Sequence, residues 1–117
     1  PMDRLIGNWW AGGDDDARAA GDAAKGYASL AISGVGQDYP AIQDILKYVV
    51  EKGKSQVPSR DKVGENLYNR GVMNAVIVAE AIRAAQQLSG KKLVTGEDVR
   101  RGMETLNITE ARADSRL

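Results

Sequence analysis

The longest periodic stretch of this 117-residue chain runs from about Asp61 to Leu88 and repeats apolar or small residues at helical spacing. Residues that recur every three or four positions lie on one face of an α-helix. That face contains Val63, Leu67, Gly71, Ala75, Val78, Ile82 and Ala85, and it is widened by Val72, Val76 and Ala79. A helix with so wide an apolar face is typical of a buried position. We therefore expect it to form the core, with Val78 and Ile82 buried.

The first third of the chain has a pattern typical of a strand, a helix and a second strand. Residues 5–10, LIGNWW, are apolar and bounded by glycines, whereas residues 27–33, YASLAIS, alternate with the period of a strand. Between them, a helix fits Asp14–Ala24 because three aspartates in its first turn complement the helix dipole. Gly26 can then adopt the left-handed cap. So short a connection predicts a βαβ unit with parallel strands.

Two more helices flank the long one. Pro40 suits the first turn of a helix near 39–52, which Asp38 can cap. The last helix, near 96–106, begins at Thr95-Gly-Glu-Asp98, which matches a capping box with Asp in place of Glu. The predicted fold class is therefore α/β, with strands near 5–10 and 27–33 followed by three helices near 39–52, 61–88 and 96–106.

Composition excludes several kinds of chemistry. The chain has no histidine and no cysteine, which removes Ser-His and Cys-His nucleophilic pairs, the usual zinc sites and disulfides. Sixteen basic residues balance sixteen acidic ones, so we expect no nucleic-acid partner. No apolar run approaches the roughly 20 residues of a membrane span, and no signal-peptide pattern opens the chain. We expect no enzymatic activity and no cofactor.

Two short motifs could suggest a ligand site, but neither has the spacing that such a site requires. Consecutive aspartates on a helix point about 100° apart, so Asp14, Asp15 and Asp16 cannot easily converge on one ion, and we expect no metal. The segment Gly34-Val-Gly matches neither a GxGxxG nor a Walker phosphate loop, and we interpret it as a turn.

The order of three segments resembles one known family. LIGNWWAGGDDDARAAGDAAKGYASLAIS, YNRGVMNAVIVAEAIRAA and LVTGEDVRRGMETLN follow one another as in the extracytoplasmic substrate-binding proteins of ABC importers. The likeness is to the leucine-binding group for branched-chain amino acids and to its relatives for amides and urea. It covers the chain from about Leu5 to Asn107. The resemblance implies the C-terminal fragment of a type I periplasmic binding protein, with a periplasmic or extracytoplasmic location.

The resemblance also implies a division of the chain and a set of partners. Residues 1–33 would be a βαβ segment of the second lobe, and residues 34–117 a helical segment of the first lobe, the two behaving as one fragment domain. Family members close two lobes around a small-molecule ligand by a hinge motion and deliver it to ABC permease subunits.

Three residues are candidates for contacting that ligand. The resemblance places Trp9 where amino-acid binders of the family have a carboxylate, so stacking on a planar amide, urea-like or aromatic-acid ligand would replace an ion pair. Trp10 follows it directly, and Tyr68 could approach the same cleft from the first lobe. The alternatives are that one tryptophan packs in the core and that Tyr68 packs at the hinge.

A structural role without a ligand is the second interpretation. In it the chain is an isolated oligomerisation domain. A third alternative is an enzyme that uses Asp or Glu for acid–base chemistry, but no carboxylate pair stands out in a recognisable cleft motif. Whether the chain is a solute-binding fragment or an isolated oligomerisation domain, its two short strands leave unpaired edges and its helices leave apolar surface. We therefore expect a homo-oligomer.

Overall fold

The computed structural model of the protein describes residues 5–109 and is mostly helical. Its four α-helices are α1 (Asp14–Ala20), α2 (Pro40–Ile45), α3 (Asn66–Ser89) and α4 (Gly96–Glu104). The described strands are β1 (Ile6–Gly7) and β2 (Ala28–Ser29), which pair in parallel with Ile6 opposite Ala28. The expected α/β class is wrong, because the segments predicted as strands keep only two residues each in the sheet. A two-stranded sheet of this size contributes little stability on its own.

The helix between the strands is shorter than its aspartates and small residues predict. α1 begins at Asp14, but it ends at Ala20 because Gly21 takes a positive φ of 53° that breaks the α-helical path. The chain continues as a 3₁₀ turn over Gly21–Ala24. The predicted cap, Gly26, also has a positive φ, of 81°, so both glycines use conformations that other residues rarely adopt.

α2 begins at Pro40, which occupies the first turn as predicted. No side-chain cap precedes it, so Asp38 does not have the predicted capping role. The helix continues as a π-helical turn over Leu46–Val50, and Gly53 follows with a φ of 65°.

The described residues fall into two compact units, the first ending at Gly71 and the second beginning at Val72. In the first unit, the buried apolar side chains are Ile42, Leu46 and Val63. The predicted division of the chain after residue 33 stays a prediction, since it concerns lobes of a longer protein.

The second unit is built on a close approach of α4 to α3. Its buried apolar residues are Ala81 and Ala85, and the buried Gly102 of α4 lies against the α3 backbone at these two alanines. The capping box at the start of α4 is confirmed, because the Asp98 nitrogen donates to Thr95 Oγ1 and the Thr95 nitrogen donates to Asp98 Oδ2.

The expectation that Val78 and Ile82 are buried is wrong. Their exposed fractions are 48% and 37%, respectively. Small residues allow two helix backbones to approach closely, and here they, rather than the larger aliphatic side chains, form the contact face of α3.

Candidate functional site

The two tryptophans lie on a tight turn between β1 and α1. The Ala11 nitrogen donates to the Asn8 carbonyl at 3.0 Å, and the Trp10 nitrogen donates to Asn8 Oδ1 at 3.0 Å. Asparagine is favoured at such a position because its side chain can bond to the backbone two residues on. Tyr27 Oη donates to the Ala11 carbonyl at 3.0 Å, which anchors the end of the turn. The ring centroids of Trp9 and Trp10 are 4.6 Å apart, so the turn presents both rings together.

Arg70, in the second turn of α3, lies beneath this pair of rings. Its guanidinium carbon is 4.9 Å from the Trp9 ring centroid and 5.8 Å from that of Trp10, within the range of cation–π attraction. Nη2 also donates to the Trp9 carbonyl at 2.7 Å. The arginine is only 7% exposed, although Trp10 is 70% exposed. The tryptophans therefore cover a buried positive charge.

Most of the donors of that guanidinium have no acceptor in the part of the chain that the structure describes. Nε and Nη1 of Arg70 are buried and donate to no atom of residues 5–109. Leaving a buried charge uncompensated costs on the order of 3–5 kcal/mol, whereas a cation–π contact returns only about 0.5–2 kcal/mol. The cation–π contacts alone therefore do not offset the burial of this side chain.

The acidic side chains near the start of α3 are engaged elsewhere. Asp14 Oδ2 accepts from the Asn66 nitrogen at 2.9 Å and so caps α3. Glu65 pairs with Arg18 at 2.8 Å and with Lys62 at 3.3 Å. Neither of these two carboxylates is paired with Arg70. The charge of the Arg70 guanidinium and the positive end of the α3 dipole therefore add to one another.

Two buried asparagines on the same end of α3 connect it to two other segments. Asn66 Nδ2 donates to the Gly12 carbonyl at 2.7 Å. Asn69 Nδ2 donates to the carbonyls of Gly34 and Gly36, at 3.0 and 2.9 Å. Asn69 thus ties the Gly34-Val-Gly segment to α3 through two of its carbonyls.

Sequence reasoning identified the tryptophans but missed Arg70, because an arginine in a helix is usually solvated. The signal that could have found it is the polar face formed by Asn66, Asn69 and Arg70, which recur at helical spacing within an otherwise apolar helix. Tyr68, half-buried, is two residues from Arg70 and so lies about 200° around the helix from it. The structure therefore brings Trp9 and Trp10 to Arg70, while the role of Tyr68 stays a prediction.

A cluster of charged groups joins α1 to the segment before α3. Asp15 Oδ1 accepts from Lys62 Nζ at 2.7 Å and also pairs with Arg18. These hydrogen bonds, that from Lys62 first and that from Arg18 second, lower the pKa of Asp15 to about 2. The hydrogen bond to Asp15, and a second one to Glu65, raise the pKa of Lys62. The cluster is exposed, so its strength depends on salt.

The three consecutive aspartates have separate surroundings. Asp14 caps α3 and Asp15 pairs with cations, whereas the Asp16 carboxylate lies beside Gly13. Within residues 5–109, no group of three or more acidic, histidine or cysteine side chains could hold a metal ion.

An open groove lies next to the end of the same turn, between α1 and the start of β2. It has a volume of about 350 Å³ and does not include the tryptophans or Arg70. It is lined by Ala11, Gly12, Gly13, Asp16, Ala17, Ala20, Ala24, Tyr27 and Ser29. Most of these residues are small, which explains why the groove remains open.

One solved structure is similar to nearly the whole chain. It is a crystal structure described as an ABC transporter permease from the Pseudomonas fluorescens group, which is 39% identical and covers 99% of this chain with a TM-score of 0.91. The match spans only 28% of the length of that solved chain. No protein-family profile and no curated protein matches the chain.

This comparison overturns the interpretation drawn from the resemblance. The solved chain is described as a permease, not as a substrate-binding protein of the leucine-binding family. The expectations of a partial type I periplasmic-binding-protein fold and of a solute-binding function are therefore wrong. The alternative of an isolated oligomerisation domain is not supported either. Within residues 5–109, no helix combines the length and the apolar character needed to cross a membrane.

Proposed function

We propose that this chain is part of a component of an ABC transporter, of the kind represented by the solved chain described as a permease. The observation that carries the proposal is the 39% identity across 99% of the chain, together with a TM-score of 0.91. Identity at this level over a fold-sized segment favours a shared role more strongly than a shared fold alone would. The role is transport rather than catalysis.

The partners of such a component are the other subunits of the transporter, and its place is with them at the membrane. The finer expectation of an extracytoplasmic location stays a prediction. Trp9 and Trp10 are the residues that we expect to contact a small molecule, because they expose aromatic surface on a fixed turn. Tyr68 remains a third candidate.

Copurification tests the transporter assignment. The native gene is tagged, intact cells are cross-linked, and the tagged protein is purified from detergent-solubilised membranes for mass spectrometry. An ATP-hydrolysing ABC subunit with a Walker phosphate loop is expected among the cross-linked proteins. Its absence, when the tagged protein is present, contradicts the proposal. A Gly102→Leu variant is the negative control. It should disrupt the packing of α4 on α3 in the second unit, and we expect it to lose the partner.

Self-association is a further part of this proposal. Ile6 of β1 and the nearby Leu5, Leu30 and Ile32 are exposed, and the strand edges can pair with another chain. Sedimentation equilibrium at micromolar concentration should give a mass above that of one chain. A single species at the mass of one chain would contradict it.

A further inference from the structure

We propose that Arg70 is the anion-recognising residue of a carboxylate-binding site beneath the turn that carries Trp9 and Trp10. This inference rests on the geometry of the first unit and does not depend on the transporter assignment. Its starting point is a guanidinium that is more than nine-tenths buried, with Nε and Nη1 unpartnered within residues 5–109.

The charges around Arg70 favour an anion. The positive end of the α3 dipole adds to the guanidinium charge, and both attract a negative group. The two acidic residues bonded at the start of α3 have other partners: Asp14 accepts from the Asn66 nitrogen, and Glu65 pairs with Arg18 and with Lys62. A single negative charge supplied from outside the described residues would therefore neutralise the site.

The shape of the surroundings favours a carboxylate over a tetrahedral anion. The guanidinium is planar and is covered by the two indole rings at 4.9 and 5.8 Å. A flat carboxylate matches both the plane of the guanidinium donors and the aromatic faces beside it. A phosphate or sulfate is bulkier and is not planar.

The turn provides the route to these donors. Trp10 is exposed on the outside of the turn, and Gly7, Gly12 and Gly13 flank it. Displacing Trp10 would uncover the guanidinium while Trp9 keeps its hydrogen bond to Nη2 through the backbone carbonyl. Carboxylate binding therefore changes the surroundings of at least one indole ring.

Tryptophan fluorescence tests this site directly, because Trp9 and Trp10 are the only tryptophans in the chain. Acetate, propionate and benzoate are titrated to about 10 mM at constant ionic strength, since millimolar affinity is what ligands of this size can reach. A saturable change in emission is expected. Arg70→Met should weaken the apparent affinity by about tenfold or more, and Arg70→Lys should weaken it because an ammonium lacks the planar donor array.

The control is Arg83→Gln, an arginine that pairs with Glu80 and lies away from the tryptophans in sequence. It should titrate as the parent does, and circular dichroism confirms that each variant is folded.

Blocked aspartate and glutamate peptides are the second set of ligands to be titrated, after the free acids. Binding of the free acids identifies a metabolite carboxylate, whereas binding of the blocked peptides alone identifies an acidic side chain of a polypeptide; either outcome supports the site.

Three outcomes would overturn it. The first is the absence of any saturable change in tryptophan emission when the folded parent protein is titrated with the free acids and with the blocked peptides. The second is equal affinity in the parent and in a folded Arg70 variant. The third is binding of phosphate or sulfate as tight as that of the carboxylates. None of these results bears on copurification with a transporter, so failure of this site and failure of the proposed function are distinguishable.

Discussion

A Cβ added to Gly102 of α4 would lie 2.7 Å from the backbone nitrogen of Ala85 in α3, and closer still to the Ala81 carbonyl oxygen. Backbone atoms cannot move aside as a flexible side chain can. We expect Gly102→Ala to lower the free energy of unfolding by about 1–3 kcal/mol, as overpacking does, even though alanine is the better helix former by up to about 1 kcal/mol. Urea denaturation followed by helical circular dichroism measures the change.

Gly71→Ala is the matched control for that substitution. Gly71 is also helical, but nothing lies within 4 Å of the position that its Cβ would take. The substitution should raise the stability by up to about 1 kcal/mol through helix propensity alone. Two alanine variants with equal denaturation midpoints would show that α4 does not approach α3 as described.

Asn69 should be important for the stability of the first unit. Its Nδ2 joins α3 to the Gly34 and Gly36 carbonyls, and the backbone there is already close, since a Cβ on Gly64 would lie 2.9 Å from the Gly36 oxygen. Asn69→Leu leaves those carbonyls without their donor, so we expect a loss of about 1–3 kcal/mol. Asn74→Leu, on the exposed side of α3, should stay within about 0.5 kcal/mol. Similar losses in both variants would contradict the role of Asn69.

The sequence predicted local features of the fold better than its packing. The Thr95–Asp98 capping box and the position of Pro40 could be predicted because they depend on neighbouring residues. The burial of Val78 and Ile82 could not, because an apolar stripe marks a face without saying which partner covers it. In the structure the small residue Ala81 meets α4 instead.

The candidate site was half predictable for a similar reason. The sequence singled out Trp9 and Trp10 as candidate ligand contacts but placed them in a strand over residues 5–10, whereas they lie on a turn and Trp10 is exposed. The arginine beneath them is 60 residues further along the chain, and only the tertiary fold brings them together. Composition and periodicity contain no information about a contact at that separation.

Acid should weaken the link between α1 and the segment before α3. The hydrogen bonds from Lys62 and then Arg18 lower the pKa of Asp15 to about 2, from an ordinary value of 3.8. Because the folded-state pKa is the lower one, this carboxylate stabilises the fold above about pH 3.8 and loses that contribution as the pH falls toward 2. The Asp15 side chain is 79% exposed, so we expect a small effect that salt reduces.

Thermal melts of the parent and of Asp15→Asn between pH 5 and about pH 2 measure this contribution. The variant should lose less of its melting temperature over that interval than the parent. Asp44→Asn serves as the control, because Asp44 is exposed and has no ion pair within residues 5–109. If Asp15→Asn and the parent lost the same amount, the ion pairs of Asp15 would not contribute to stability.

Removing the charge of Arg70 should not destabilise the protein. A buried charge without a counterion costs on the order of 3–5 kcal/mol, and replacing such groups by apolar residues of similar volume is often neutral or stabilising. Arg70→Met keeps most of the side-chain volume and loses one hydrogen bond, to the Trp9 carbonyl. That bond is worth about 1.5–3 kcal/mol, and the cation–π contacts about 0.5–2 kcal/mol, so these losses and the relief of the buried charge nearly cancel.

We therefore expect Arg70→Met to change the free energy of unfolding by less than about 1 kcal/mol in either direction. Arg70→Ala, which also leaves a cavity, should cost more than the methionine variant, and the difference isolates packing from charge. Urea denaturation followed by tryptophan fluorescence reports on the first unit, since both tryptophans belong to it. A loss of more than about 3 kcal/mol in Arg70→Met would mean that the guanidinium is already compensated in the folded chain. The reason for expecting an anion beneath the tryptophans would then disappear.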